Sequence, residues 1–263
     1  MNEQPVLFNQ SGSIARVTLN RPTQGNAFDM QMARDLSSVA LRCDTDASIR
    51  CVVLTGAGRM FCAGGDLAVF SSAGNRIPAL LSELAGWLHS ALVRLTRMQK
   101  PLLVLVNGPA AGAGLSLSLL GDVVIAAKSA HFTSAYTGIG LTPDGGLTWI
   151  LPRLVGIRTA QEMILTNRRI GSAEAQSNGL ITRVVEDDAL ALEGDKMAAT
   201  LSQSATRALG MARSLILQSF HTSFETQLEG EARSIASAGR DAESIEGIAA
   251  FMAKRPPQFP EPK

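Results

Sequence analysis

Twice in this chain a strongly apolar, strand-like run ends in a glycine-containing turn and passes into a helical pattern. The two stretches are RCVVLTGAGRMFCAGGDL at residues 50–67 and LLVLVNGPAAGAGLSLSLL at residues 102–120. Glycine permits close backbone approach, and the first amides of a helix have no internal acceptors. Each junction is thus a potential cradle for negative charge, and two of them could supply the converging N–H groups that stabilise an oxyanion. Either junction taken alone is equally open to a plainer reading, in which the glycines serve tight turns and close helix–strand packing. Competing glycine motifs fail. GAGLSL at residues 112–117 lacks the third glycine of a dinucleotide fingerprint, and no GxxxxGK[ST], GxSxG or HExxH occurs.

The flanking text sets the architecture. Residues 15–20, 50–55, 102–106, 122–127 and 181–186 are apolar, β-branched runs closed by turn residues and read as strands. Helical periodicity over residues 29–43 and 79–98 alternates with them, the latter with an apolar face of Leu84, Trp87, Leu88, Leu92 and Leu95. Alternation of this kind predicts an α/β architecture with largely parallel pairing. After about residue 188 only helical patterns remain, over 189–203, 206–218, 222–237 and 241–254. The expected organisation is an α/β core over residues 1–188 and a helical region with a C-terminal tail over 189–263. The proline-rich stretch 254–260 cannot continue a helix and is expected to lie extended on a surface.

Charge narrows the partners. Twenty-four Lys and Arg nearly cancel 23 Asp and Glu, and no basic run offers a phosphate-binding stripe, so nucleic acid is not expected as a partner. The longest apolar runs, such as residues 102–106, are far too short to cross a membrane. Residues 1–10 are mostly polar and do not resemble a signal peptide. Cys43, Cys51 and Cys62 are odd in number and form no CxxC pair; no disulfide framework or metal site is expected, and a reducing cytoplasm fits.

Ionisable groups are scarce. Between residues 84 and 161 the only carboxylates are Asp122 and Asp144. Asp122, after Gly121, suits strand-end hydrogen bonding. Asp144 could cap a helix starting near Leu147, or it could be a working carboxylate among the apolar Leu141, Leu147 and Trp149. His131, in a strand, and His221, in the helical tail, read as structural.

LNRPTQGNAFD (19–29), GAGRMFCAGGDL (56–67), KPLLVLVNGPAAGAG (100–114), GLTPDGG (140–146), LPRLVG (151–156) and FMAKRPPQF (251–259) together resemble the enoyl-CoA hydratase/isomerase family, the crotonases. The resemblance implies a crotonase (ClpP-like) spiral of ββα units with a C-terminal helical trimerisation region, assembled as a homotrimer or a dimer of trimers. It implies an acyl-CoA thioester substrate, coenzyme A entering as part of that substrate with no prosthetic group. The thioester oxygen would lie between the amides of Gly65 and Ala113. Ala63, Asp66 and Leu67 would flank adenine and pantetheine through backbone contacts, and Phe251 and Lys254 would touch the nucleotide end. Aligned on the family's hydratases, Ser116 and Tyr136 stand where two glutamates are expected; Ser116 could instead cap its own helix turn, and Tyr136 is expected to line the acyl pocket. Asp144 falls where isomerising relatives place their aspartate. The segments 140–146 and 253–259 look most like the branch that isomerises 1,2-epoxyphenylacetyl-CoA and like enoyl-CoA isomerases. His89 occupies a position similar to the histidine of 4-chlorobenzoyl-CoA dehalogenases, so a dehalogenase using Asp144 and His89 is the second expectation. A hydratase with atypical residues and a non-catalytic acyl-CoA-binding protein are further alternatives.

Overall fold

The computed structural model describes residues 4–259. Its chain opens with an antiparallel pair, β1 (Val6–Ser11) and β2 (Ile14–Leu19), joined by a tight turn at Gly12 and Ser13. Strand β1 was not expected. It is an edge strand whose residues after Val6 are exposed or half-buried, so it carries little of the apolar signal that marks an interior strand. Asp29 accepts the Met32 N–H at 2.8 Å and caps α1 (Met30–Thr45), a contribution of about 1 kcal/mol. Parallel pairing then begins with β3 (Cys51–Gly56) on β2, as expected for α/β alternation. Helix α2 (Leu67–Ser72) and the long α3 (Ile77–Arg97), with Pro78 in its first turn, lead into β4 (Leu102–Val106) beside β3.

After β4 come the two-residue β5 (Ala110–Ala111), α4 (Ala113–Ser118), β6 (Val123–Ala127) and β7 (His131–Thr133). The chain continues through α5 (Leu147–Thr166), with a non-helical Gly156, and then β8 (Ile170–Gly171), α6 (Ser172–Ser177) and β9 (Arg183–Val185). The main sheet runs β1-β2-β3-β4-β6-β9, parallel from β2 onward, and β5-β7-β8 form a small second sheet. Helices α7 (Leu190–Gln203), α8 (Thr206–Gln218), α9 (Phe224–Ala238) and α10 (Ala242–Met252) complete the described residues.

Period-two alternation divides the strands between two cores. Val52, Leu54, Leu102, Val104 and Val124 face the main core with α1 and α3, whereas Cys51, Val53, Leu103, Leu105 and Ile125 face a smaller one closed by Leu190 and Ala198 of α7. Burial on both faces explains why these strands read as unbroken apolar runs. Asp122 holds the strand end as expected: its Oδ2 accepts the Leu102 N–H at 2.7 Å and its Oδ1 accepts from Arg213 Nε of α8 at 2.7 Å. His131 lies in β7. His221 sits, as the helix bounds 206–218 and 222–237 implied, in the turn between α8 and α9, with its ring 5.7 Å from that of Trp149. The tail folds back on α10: Arg255 pairs with Glu246 at 2.6 and 2.8 Å, and the Gln258 N–H donates to Glu246 Oε1 at 2.7 Å. The expectation for Pro260, and that for residues 1–3 of the polar N-terminus, lie outside the described residues.

Candidate active site

The two glycine junctions are stitched to one another. Cys62 N–H donates to the Pro109 carbonyl at 3.2 Å, and the Ala111 N–H donates to the Cys62 carbonyl at 2.9 Å. Gly64 adopts φ +101°, and a Cβ there would lie 3.0 Å from the Ala111 carbonyl oxygen and 3.5 Å from the Ala113 nitrogen. A Cβ on Gly114 would sit well inside contact distance of the Cys62 carbonyl. Only glycine allows this approach.

The stitching leaves one amide spare on each side. Phe28 N–H donates to the Gly64 carbonyl at 2.7 Å and the Asp66 N–H donates to the Phe28 carbonyl at 3.0 Å, which turns the intervening Gly65 N–H away from Phe28. Ala113 is the first residue of α4, behind a Gly112 that supplies no side-chain cap. Among the described residues, neither the Gly65 nor the Ala113 N–H takes part in a hydrogen bond. Both residues line a cavity of about 410 Å³.

Asp144 lines the same cavity, with Tyr136, Leu84, Leu88 and Leu141. Tyr136 O–H donates to Asp144 Oδ1 at 2.7 Å. Ser116, fully buried in α4, donates its hydroxyl to the Asp144 backbone carbonyl at 2.9 Å and lies 3.4 Å from the Tyr136 hydroxyl. Ala135 holds φ +62°, a strained conformation for a residue with a side chain, immediately before Tyr136. Burial, and secondarily the negative charge of Asp144, push the Tyr136 phenol well above its ordinary value, so it stays a donor. Asp144 does not cap α5. Gly146 occupies that position, and no side chain caps the helix. Trp149 is not a neighbour in this cavity either; it lines a second one. His89 Nε2 accepts the Gly145 N–H at 3.2 Å and lies 3.6 Å from Asp144 Oδ2, too far for a hydrogen bond.

Ala63 and Leu67 also line the cavity. The Asp66 side chain has a local duty: it accepts from the Ala68 and Val69 amides at the start of α2 and pairs with Arg21 at 3.0 Å, which in turn pairs with Asp29 at 3.1 Å. Sequence reasoning passed over Arg21, although it stands inside the quoted LNRP segment. Phe251 and Lys254 do not line the cavity within the single chain; Phe251 is 82% exposed on α10 and Lys254 follows it in a turn. Phe70 and Leu81 complete the walls from α2 and α3. Among the described residues no group of three or more His, Cys, Asp or Glu could hold a metal ion, and no helix is long and apolar enough to cross a membrane.

Comparison with known proteins gives the family. The sequence model of the family described as enoyl-CoA hydratase/isomerase matches residues 9–262. The 1,2-epoxyphenylacetyl-CoA isomerase of Escherichia coli (strain K12) is 38% identical over 255 residues, 97% of each chain. A "Probable enoyl-CoA hydratase" of Rhodobacter capsulatus is 38% identical over 98% of this chain and 99% of its own. The solved structure of an enoyl-CoA hydratase from Polaromonas sp. JS666 superposes with a TM-score of 0.92 at 31% identity, covering 97% of this chain and 99% of that one. With a crotonase fold, two stitched glycine junctions and a match along nearly its whole length, the chain belongs to the enoyl-CoA hydratase/isomerase family.

Proposed function

We propose that the protein isomerises an acyl-CoA thioester through an enolate, with Asp144 as the base that moves a proton between carbons and with the Gly65 and Ala113 amides holding the enolate oxygen. One observation carries this reading: a single carboxylate shares a cavity with two unused backbone amides, and the positions where a hydratase would present glutamates hold Ser116 and Tyr136, both hydrogen-bonded to Asp144. Adding water across a double bond calls for one group to orient the water and another to deliver a proton, whereas a 1,3-proton shift needs only one. Tyr136 occupies Oδ1 and leaves Oδ2 for the proton. The 38% identity to a 1,2-epoxyphenylacetyl-CoA isomerase supports the same branch. Ala63 and Leu67 beside the amides suit the pantetheine end, and Phe251 and Lys254, remote from the cavity in one chain, suit contact with coenzyme A across a trimer or hexamer.

The deciding experiment is a panel of Δ3-enoyl-, epoxyphenylacetyl- and halobenzoyl-CoA thioesters given to the wild type and to Asp144→Asn. Turnover of an enoyl or epoxide substrate that falls by at least about 100-fold in Asp144→Asn is expected, the loss typical of removing a general base. Undiminished activity in the variant removes Asp144 from the role, and tight thioester binding without any turnover favours a non-catalytic protein. A second reading, hydrolytic dehalogenation with Asp144 as nucleophile, is favoured by the 3.6 Å approach of His89 Nε2 to Asp144 Oδ2. It expects Asp144 to displace halide from the ring of a halobenzoyl-CoA and His89→Gln to trap the resulting aryl ester of Asp144, with halide released, visible as a mass increase on the intact chain. Isomerisation expects no such adduct.

A further inference from the structure

Behind Asp144 lies a second, larger cavity of about 740 Å³, between α3, the start of α5 and the end of α8. The wall dividing the two is thin. Leu88 and Asp144 face the 410 Å³ cavity, while the next residues in the chain, His89 and Gly145, face the larger one. His89 is held lightly: the Gly145 N–H at 3.2 Å is the only hydrogen bond to its ring among the described residues, and its side chain is 47% exposed. Beyond it the larger cavity offers apolar surface from Leu92, Trp149, Ile150 and Leu217.

We propose that His89 is a partition that sets the length of acyl group the protein accepts, and that the cavity behind it is a dormant subsite for an aliphatic tail. The proposal rests on the reading above only in placing the thioester at Gly65 and Ala113. With those amides holding the carbonyl, the reacting carbons lie toward Asp144, and a longer chain next meets the wall formed by Leu88 and Asp144, directly behind which His89 lines the larger cavity. In the wild type the gain from each added methylene stops when the smaller cavity is full. Removal of the imidazole joins the two cavities, and further methylenes then become buried against Leu92, Trp149 and Leu217, each worth about fourfold in affinity.

The test measures equilibrium binding of saturated acyl-CoAs, from butanoyl- to hexadecanoyl-CoA, to the full-length wild type, His89→Ala and His89→Phe. All carry Trp87→Phe, so that Trp149, the other of the two tryptophans, reports from the larger cavity. Affinity is expected to level off with chain length in the wild type and to keep rising by about fourfold per methylene over several more in His89→Ala, with a change in Trp149 emission that only the longer chains produce. His89→Phe, which restores bulk without the imidazole, is expected to restore the wild-type limit. The proposal is overturned if His89→Ala levels off at the same length as the wild type, if Trp149 emission stays unchanged while long chains bind, or if His89→Phe behaves like His89→Ala. Because saturated thioesters need no turnover, a shifted length limit alongside inactive enzyme sinks the isomerase reading and leaves the partition standing. Failure of every acyl-CoA to bind overturns both.

Discussion

Helix α2 buries none of its six residues, whereas α4 buries all six, yet each follows a strand and a glycine turn and each junction has a residue with an unbonded amide, Gly65 or Ala113, lining the same cavity. The first junction is held by charge. Asp66 caps α2, and Arg21 bridges Asp66 and Asp29 at 3.0 and 3.1 Å. The second has no side-chain cap, and what fixes it is backbone: the bonds between Cys62 and residues 109 and 111, and the contact of Gly114 with the Cys62 carbonyl. An unbonded amide beside one cavity is thus held by shared backbone stitching plus an ion-pair network ahead of a solvent-facing helix, and by steric interlock alone ahead of a buried one. The two should therefore fail under different perturbations.

The largest effect is expected from Gly114→Ala, whose Cβ meets the immobile Cys62 carbonyl; overpacking of this kind costs about 3 kcal/mol, read as a fall in the urea midpoint. Gly65→Ala meets the end of the Phe70 ring at 2.5 Å instead, and a side chain can swing aside. Its stability cost should be about 1 kcal/mol or less, while the displaced ring weakens thioester binding. Equal destabilisation by the two substitutions would erase the distinction between interlock and loop.

Next in size is Asp66→Ala, which removes the α2 cap and one of the two carboxylate partners of Arg21, for a loss of about 1–2 kcal/mol in the melting transition. The second junction has no side chain whose loss should act in this way.

At neutral pH the smallest effect is the one at Cys62, within the interlock, and it grows only in alkali. Burial pushes its thiol up to about 12 from an ordinary value near 9. A folded value above the unfolded one means that this contribution is intact below about pH 9 and is lost as pH rises toward 12. Denaturation midpoints should decline across that range, and less steeply in Cys62→Ala. At pH 8 the native thiol should resist iodoacetamide, and Gly114→Ala should expose it.

Much of the frame was legible in the text. Strands β3, β4 and β6 are apolar on both faces and announce themselves within a residue at each end; α1 begins one residue after the Asp29 expected to open it. The edge strand β1 escaped because only one of its six residues is buried. The roles at the site were less legible. Asp144 could be found by elimination, but its freedom from capping depends on Gly146 taking the start of α5. Trp149, the third residue of α5, faces the larger cavity because helical rotation from the start of α5 carries it past the wall. Residues 79–84 read as the start of the 79–98 helix, but not as pocket walls; α2 and α3 place Phe70, Leu81 and Leu84 on the cavity.

The alternation of strand and helix, the two glycine junctions and the shortage of ionisable groups around Asp144 are written in the chain itself, since apolar pattern, backbone freedom and composition are local. The tertiary structure decided which groups meet. Ser116, Tyr136 and Asp144 converge from three separate segments, and His89 arrives from a fourth, lining the larger cavity 3.6 Å from Asp144 Oδ2. Such contacts depend on the relative placement of packed elements to within an ångström or so, and no periodicity or spacing along the chain encodes that distance.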